Sequence, residues 1–259
     1  MGRPSRTKRP PLPAPVRRAL VPVAGRVQAW RTRNLDDRQR WERGLSDEVA
    51  FWDQTLAAIG PESGYRETDR SWADDPVYQR VMDELPPELV EVDVIDVGAG
   101  PLTAVPKVYP GREIRIVAFD PLADAYNARL DELGIEPIVR TRAGDGERLL
   151  ELVDEASFDV AHASNCLDHA YDPGAAITAM ARVLRPGGLF VLRHAHNEAV
   201  HQHYLGLHQW NFDERGGDFV VWRPGTERNL SQELAPLGQG EVWFQGPERE
   251  LIWLWRRAG

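Results

Sequence analysis

Two closely spaced glycines, an acid 22 residues beyond the first of them, and a crowd of histidines further on are the parts of this 259-residue chain that could do chemistry. In Val94-Ile95-Asp96-Val97-Gly98-Ala99-Gly100-Pro101 an apolar run enters a glycine turn. Gly98 and Gly100 let the backbone bend sharply and approach a ligand where a side chain would collide. Asp120 ends the next apolar run, where a carboxylate can accept both hydroxyls of a ribose. Together these residues predict a nucleoside-containing cofactor. A dinucleotide fits the loop poorly. Thr103 stands where G-x-G-x-x-G/A needs Gly or Ala. Pro101 lacks an N–H that a pyrophosphate would use, and Pro106 shortens the helix whose dipole would hold it. The loop is suited to a nucleoside without phosphate.

All seven histidines fall between His162 and His208. His169 follows the fourth apolar run in Asn165-Cys166-Leu167-Asp168-His169, and His194 and His196 follow the fifth. A neutral imidazole can take a proton near pH 7, so His169, His194 and His196 are the candidate catalytic bases. Packing and loop anchoring is the competing role for His169. His194-x-His196 and His201-x-His203, with His208 beyond, would suit zinc or iron in an extended segment. However, Asn197–Leu205 reads as helical, where positions two apart diverge by about 200°. No metal is therefore expected, and the histidine segment reads as a polar pocket wall or lid to which Trp210 and Phe212 add apolar surface. The single cysteine, Cys166, excludes an internal disulfide or a multi-thiolate metal site.

The elements that must position these residues alternate between strand and helix. Val92–Val97, Ile114–Phe119, Pro137–Arg140, Phe158–His162 and Leu189–Arg193 read as strands. Pro173–Leu184 reads as an amphipathic helix stopped by the turn Arg185-Pro186-Gly187-Gly188. This alternation predicts right-handed βαβ units and a parallel sheet with helices on both faces. Glu241–Phe244 and Leu251–Trp255, joined through Gly246-Pro247, predict a closing antiparallel pair. Asp218–Trp222 predicts an extra strand before a last helix, Asn229–Leu234. Upstream, Trp41, Leu45, Val49, Trp52 and Leu56 recur at helical spacing, with Ser46 as candidate N-cap. Trp41 and Trp52 read as core first and pocket wall second. A second helix is expected around Pro76–Leu85, after Asp74-Asp75-Pro76.

With these motifs in this order, the chain resembles the class I S-adenosylmethionine (SAM)-dependent methyltransferases, in particular a type 11-like small-molecule subset. Asp96 to Pro101 is similar to the family's first motif, Asp120 to its ribose acid, and Pro121-Leu122 to the adenine-flanking residues. Ala143-Gly144-Asp145-Gly146 resembles the turn whose acid meets the adenine amino group. Phe158-Asp159-Val160-Ala161-His162 resembles the fourth strand, and Leu184-Arg185-Pro186-Gly187-Gly188-Leu189-Phe190 the turn into the fifth. Leu102 departs from the pattern, replacing a glycine often found there. The likeness spans about residues 90–195, and Gly206 to Phe212 also resembles a segment of bacterial small-molecule methyltransferases. It implies an α/β, Rossmann-like fold: a mostly parallel seven-stranded sheet with an antiparallel last strand and helices on both faces. It implies SAM as cofactor, held by Asp96, Gly98, Ala99, Gly100, Asp120, Pro121, Leu122, Gly144, Asp145, Gly146 and Ser164. The implied activity is methyl transfer to an oxygen or nitrogen of a small molecule.

Composition bounds the rest. Apolar residues make up 42% and charged residues 27%, as in a globular protein. No apolar stretch approaches the roughly 18 residues of a spanning helix. The basic start has no hydrophobic signal core, and Arg6 stands where myristoylation needs Ser or Thr, so a cytoplasmic protein is expected. The net charge of −9 hides a division: residues 1–40 hold 11 Arg and Lys against two Asp, and the remainder is strongly acidic. The expected organisation is a basic, Pro-rich, partly disordered extension over 1–40 with a short helix over Val27–Arg40. A helical cap follows over 41–88, then a cofactor domain over 89–259 with a substrate lid inserted around 197–228. An acidic body suits a small-molecule acceptor better than a phosphate backbone. The alternatives are a nucleic-acid methyltransferase using the basic extension, an NAD(P)-dependent oxidoreductase, and a non-catalytic nucleoside-binding scaffold. The oligomeric state has no signature in the sequence.

Overall fold

The computed structural model of the chain describes residues 27, 28, 32, 34–59 and 71–259. The expected disordered stretch at the N-terminus, and part of the short helix expected over Val27–Arg40, lie outside the described residues. The first long helix, α1 (Asp37–Ile59), is closed at its start by a reciprocal cap. The Gln39 N–H donates to Asp36 Oδ1 at 2.8 Å, and the Asp36 N–H donates to the Gln39 side chain at 3.1 Å. Ser46 is therefore not the N-cap; it lies exposed within the helix. The second helix, α2 (Pro76–Glu84), starts as expected: Asp75 accepts from the Val77 N–H at 2.8 Å and Pro76 supplies the first turn.

Seven strands form the main sheet: β1 (Glu91–Val97), β2 (Glu113–Asp120), β3 (Arg142–Ala143), β4 (Phe158–Ser164), β5 (Leu184–Ala195), β9 (Gly238–Gln245) and β10 (Glu250–Arg257). Their order is β3-β2-β1-β4-β5-β10-β9. The first five run parallel, and β10 lies antiparallel to both β5 and β9. This is the expected mostly parallel sheet with its closing antiparallel pair. Helices α3 (Ala123–Leu133) and α4 (Pro173–Val183) complete the crossovers. The order reverses between β1 and β4, so loops at the carboxyl ends of these strands border a crevice.

Three local expectations change. Pro137–Arg140 is not a strand; β3 is the two-residue pair that follows it, held by Phe119 and Asp120 of β2. The helix expected over Asn197–Leu205 is only the single turn α5 (Glu198–His201), because His203 and Tyr204 take left-handed φ values of 55° and 56°. Three strands then form a separate antiparallel sheet, where one was expected: β6 (Asn211–Arg215), β7 (Asp218–Arg223) and β8 (Thr226–Asn229). The last helix, α6, spans Leu230–Leu234.

One core lies between the sheets. The Phe190 ring stacks on Trp255 at 4.9 Å and meets Trp253 edge-on at 4.8 Å. Phe219 of the small sheet stacks on Trp253 at 4.3 Å, with both side chains fully buried. This shared aromatic packing ties the inserted sheet to the main one; removing such a ring costs about 3–5 kcal/mol. On the opposite face Trp72, Tyr78, Val81 and Met82 pack against Val92 and Val94 of β1.

Candidate active site

The carboxyl ends of β1, β2 and β4, together with one face of α1, border a cavity of about 260 Å³. Its floor is the glycine turn. Gly98 and Gly100 take φ values of 70° and 64°, and the Gly98 and Ala99 N–H groups donate to the Phe119 carbonyl at 2.8 and 3.0 Å. A Cβ on Gly98 would stand 2.6 Å from Cys166, and one on Gly100 3.3 Å from the Trp52 ring. The glycines thus keep open a passage already narrowed by its walls. The Cys166 thiol donates to the Val97 carbonyl at 3.1 Å, and burial pushes its pKa well up. It therefore stays a thiol and not a nucleophile.

Asp120 sits at the cavity edge, 8% exposed. Its two oxygens accept from the Gly100 N–H at 3.0 Å and the Leu122 N–H at 2.9 Å. Each oxygen retains a second acceptor direction. Burial pushes the carboxyl up to about 6, with the charges of Glu48 and Asp96 adding to the rise and the two N–H groups opposing it. Pro121, Leu122, Gly146 and Ser164 line the same cavity.

Five expected site residues lie elsewhere. Asp96 is buried beneath the loop, where it accepts from the Thr103 hydroxyl and pairs with His162 Nδ1 at 2.7 Å. Tyr78 holds the other His162 nitrogen at 2.8 Å. Thr103, the residue that breaks the dinucleotide fingerprint, therefore anchors the loop from below. Gly144 is a packing glycine: a Cβ there would fall 2.3 Å from Leu152 and 2.9 Å from Phe119. Asp145 turns toward Arg38, 3.9 Å away. His194 is buried and donates to Asp168 Oδ1 at 3.0 Å. His196 pairs with Asp213 at 2.9 Å and packs on Phe244. Neither His194 nor His196 lines the cavity. Of the three candidate bases only His169 does. Burial pushes its pKa below the usual imidazole value despite the nearby Asp168 charge, which favours the neutral ring.

Several lining residues carried no local motif. Helix α1 brings Trp41, Leu45, Glu48 and Trp52 over the cavity, so the two tryptophans are pocket wall and not core. The Trp52 indole N–H donates to Glu48 at 2.9 Å. Tyr126 of α3 packs edge-on against Trp52 at 6.2 Å, and Glu147 accepts from the Tyr171 and Asp172 N–H groups at 2.9 and 3.1 Å. Of the insertion over 197–228, Leu207 reaches the cavity. It comes close because Gly44 of α1 has no side chain; a Cβ there would meet Leu207 at 2.4 Å. Arg223 of β7 fixes this insertion to α1 through two bonds to Asp37 at 2.8 and 2.7 Å.

The lining has one sign. Glu48, Asp120 and Glu147 face the cavity, and none of its described lining residues is Lys or Arg. Such a surface repels phosphates and attracts a cation. A glycine cradle, a buried carboxylate with free acceptor directions and an acidic wall fit a nucleoside cofactor carrying a positive charge.

Part of the chain is similar to known proteins. The family described as "Methyltransferase domain" matches residues 95–192. An uncharacterized 37.1 kDa protein in transposon TN4556 of Streptomyces fradiae is 30% identical over 157 residues, covering 59% of this chain and 40% of that protein. The chain thus spans under half the length of that curated relative. Among solved structures, the CurJ carbon methyltransferase is 16% identical, with a TM-score of 0.49, covering 73% of this chain and 54% of the other. The 1,6-didemethyltoxoflavin-N1-methyltransferase of Burkholderia thailandensis, solved with S-adenosylhomocysteine, is 18% identical, with a TM-score of 0.43, covering 83% and 90%. Residues 95–192 thus match a methyltransferase domain, and they lie on the sheet order described above.

Proposed function

We propose that the chain transfers the methyl group of SAM to an oxygen or nitrogen of a small molecule. The acidic lining of the crevice, with no Lys or Arg among its described residues, is the observation that carries this reading. Bound there, the cofactor would supply an electrophilic methyl group on a sulfonium. Gly98, Ala99 and Gly100 would lie along it, Asp120 would accept from its ribose hydroxyls, and Pro121, Leu122, Gly146 and Ser164 would flank the rest. Methyl transfer is an in-line displacement, so the chain's main tasks are to aim the acceptor and deal with its proton. His169 is the imidazole in the crevice, and its preference for the neutral form suits it to that proton. The 41–88 cap and the 197–228 insertion supply Trp41, Trp52 and Leu207, the apolar surface on which an acceptor would rest. The same acidic lining disfavours a nucleic-acid acceptor, whose phosphates it would repel.

The test is incubation with methyl-labelled SAM and a bacterial extract separated into metabolites, RNA and protein. Label in the metabolite fraction is expected. Label confined to RNA would favour the nucleic-acid alternative. SAM binding with no label anywhere would favour the non-catalytic scaffold.

A further inference from the structure

Beside the crevice, three side chains from distant parts of the sequence aim at one point. Asp168 is buried, 1% exposed, at the end of the loop after β4. Its Oδ2 lies 2.6 Å from His208 Nδ1 and 3.7 Å from His169 Nε2. The two imidazole nitrogens are 3.0 Å apart. Hydrogen bonding satisfies this triangle badly. If His208 Nδ1 carries a proton it serves the carboxylate, and the lone pair of His169 Nε2 then faces the centre with no proton of its own. If His169 Nε2 carries the proton and donates to His208, a bare nitrogen is left 2.6 Å from a carboxylate oxygen.

A metal ion removes the conflict by accepting all three lone pairs. Ligand atoms about 2.0–2.2 Å from a tetrahedral cation stand roughly 3.3 Å from one another. The three separations here bracket that value. The surroundings also match. Asp168 Oδ1, the oxygen turned away from the triangle, is held by His194 at 3.0 Å. The second nitrogen of His169 faces Glu48 at 3.8 Å. A carboxylate fixed from behind, as Asp168 is by His194, is a usual feature of metal sites. Two neutral imidazoles and one carboxylate leave a divalent ion with open positions.

We propose that Asp168, His169 and His208 bind one divalent first-row transition-metal ion beside the crevice. His169 reaches both the triangle and the cavity, so an ion held there would lie beside the place where an acceptor would rest. This role rests on the methyltransferase reading, although binding of the ion does not. A coordinated acceptor hydroxyl would lose its proton more readily. His169 would then act as a ligand, and its removal would abolish activity for either reason. The test therefore reads metal binding and not turnover.

Tag-free chain is stripped with a chelator and titrated with Co2+ and then Zn2+, following the visible bands of cobalt and the heat of binding. One equivalent should bind. His169→Ala and His208→Ala should each weaken it more than about tenfold, while His203→Ala, an exposed histidine outside the triangle, should leave it unchanged. S-adenosylhomocysteine binding checks that each variant is folded. His208→Gln serves if the alanine variant fails that check, and the spectrum of the parent needs no variant. Absence of cobalt bands in the parent, or equal affinity in folded triangle variants, overturns the site. Metal failure with S-adenosylhomocysteine binding intact removes this inference alone; metal binding without S-adenosylhomocysteine binding removes the cofactor reading instead.

Discussion

Replacing Asp120 with Asn should weaken S-adenosylhomocysteine binding and flatten its dependence on pH. The carboxylate is anchored by the Gly100 and Leu122 N–H groups at 3.0 and 2.9 Å, with one acceptor direction left on each oxygen. Charge-assisted hydrogen bonds from ribose hydroxyls are worth about 1.5–3 kcal/mol, so the loss should be roughly 10- to 150-fold in Kd. Burial raises the carboxyl to about 6. Below that value it is protonated before binding, and affinity should fall about tenfold per pH unit. The stability term has the opposite sign. A carboxyl raised above its unfolded value near 3.8 contributes stability that is fully present below that value and lost as pH rises through about 6. Acidification over this window should therefore weaken ligand binding while this group favours the folded state. Calorimetry between pH 5 and 8, on the parent and on Asp120→Asn, measures the binding side. Equal affinity across that range in the parent, or an Asn variant within twofold of it, would refute the assigned role of Asp120.

Other substitutions separate chemistry from architecture. His169→Ala should lower kcat by about 10²–10⁴ while sparing S-adenosylhomocysteine affinity, measured by steady-state kinetics once an acceptor is known. His194→Ala should act on the fold instead. It strips a partner from the buried Asp168 and should cost about 3–5 kcal/mol in denaturant unfolding. His196→Ala should leave turnover within a few fold of the parent, because its ring is engaged by Asp213 away from the cavity. Gly98→Ala forces a side chain into a left-handed conformation and within 2.6 Å of Cys166. It should lower stability by at least about 1–2 kcal/mol and weaken cofactor binding, both visible in a thermal melt with and without ligand.

How far the sequence reveals this molecule depends on how local each signal is. Strands β1, β2, β4 and β5 were legible because each is an apolar run ended by a turn or a chemically distinctive residue. The edge strand β3 was misplaced because Arg142 and Ala143 are both exposed and pair for only two residues, leaving no pattern to read. Helix α1 starts at the Asp36/Gln39 cap, ahead of the aromatic run from which its periodicity is read, and so ahead of Ser46. In the candidate site, Gly98, Gly100 and Asp120 belong to a motif, and the structure brings all three to one cavity. Glu48, Tyr126 and Glu147 enter the crevice from α1, α3 and the turn after β3, a convergence that tertiary packing alone produces. His194 followed a strand end and looked reactive; its side chain is instead committed to Asp168. The Asp168, His169 and His208 triangle was hidden for a related reason: His208 approaches only through the left-handed turn at His203 and Tyr204, where a helix was expected.

This acidic crevice should hold a cationic nucleoside cofactor and reject a phosphate-bearing one. Calorimetric titration of the same preparation with SAM, S-adenosylhomocysteine and NAD tests it directly. SAM and S-adenosylhomocysteine should bind with one-to-one stoichiometry, and NAD should give no measurable heat. Tighter binding of NAD than of SAM would contradict the account.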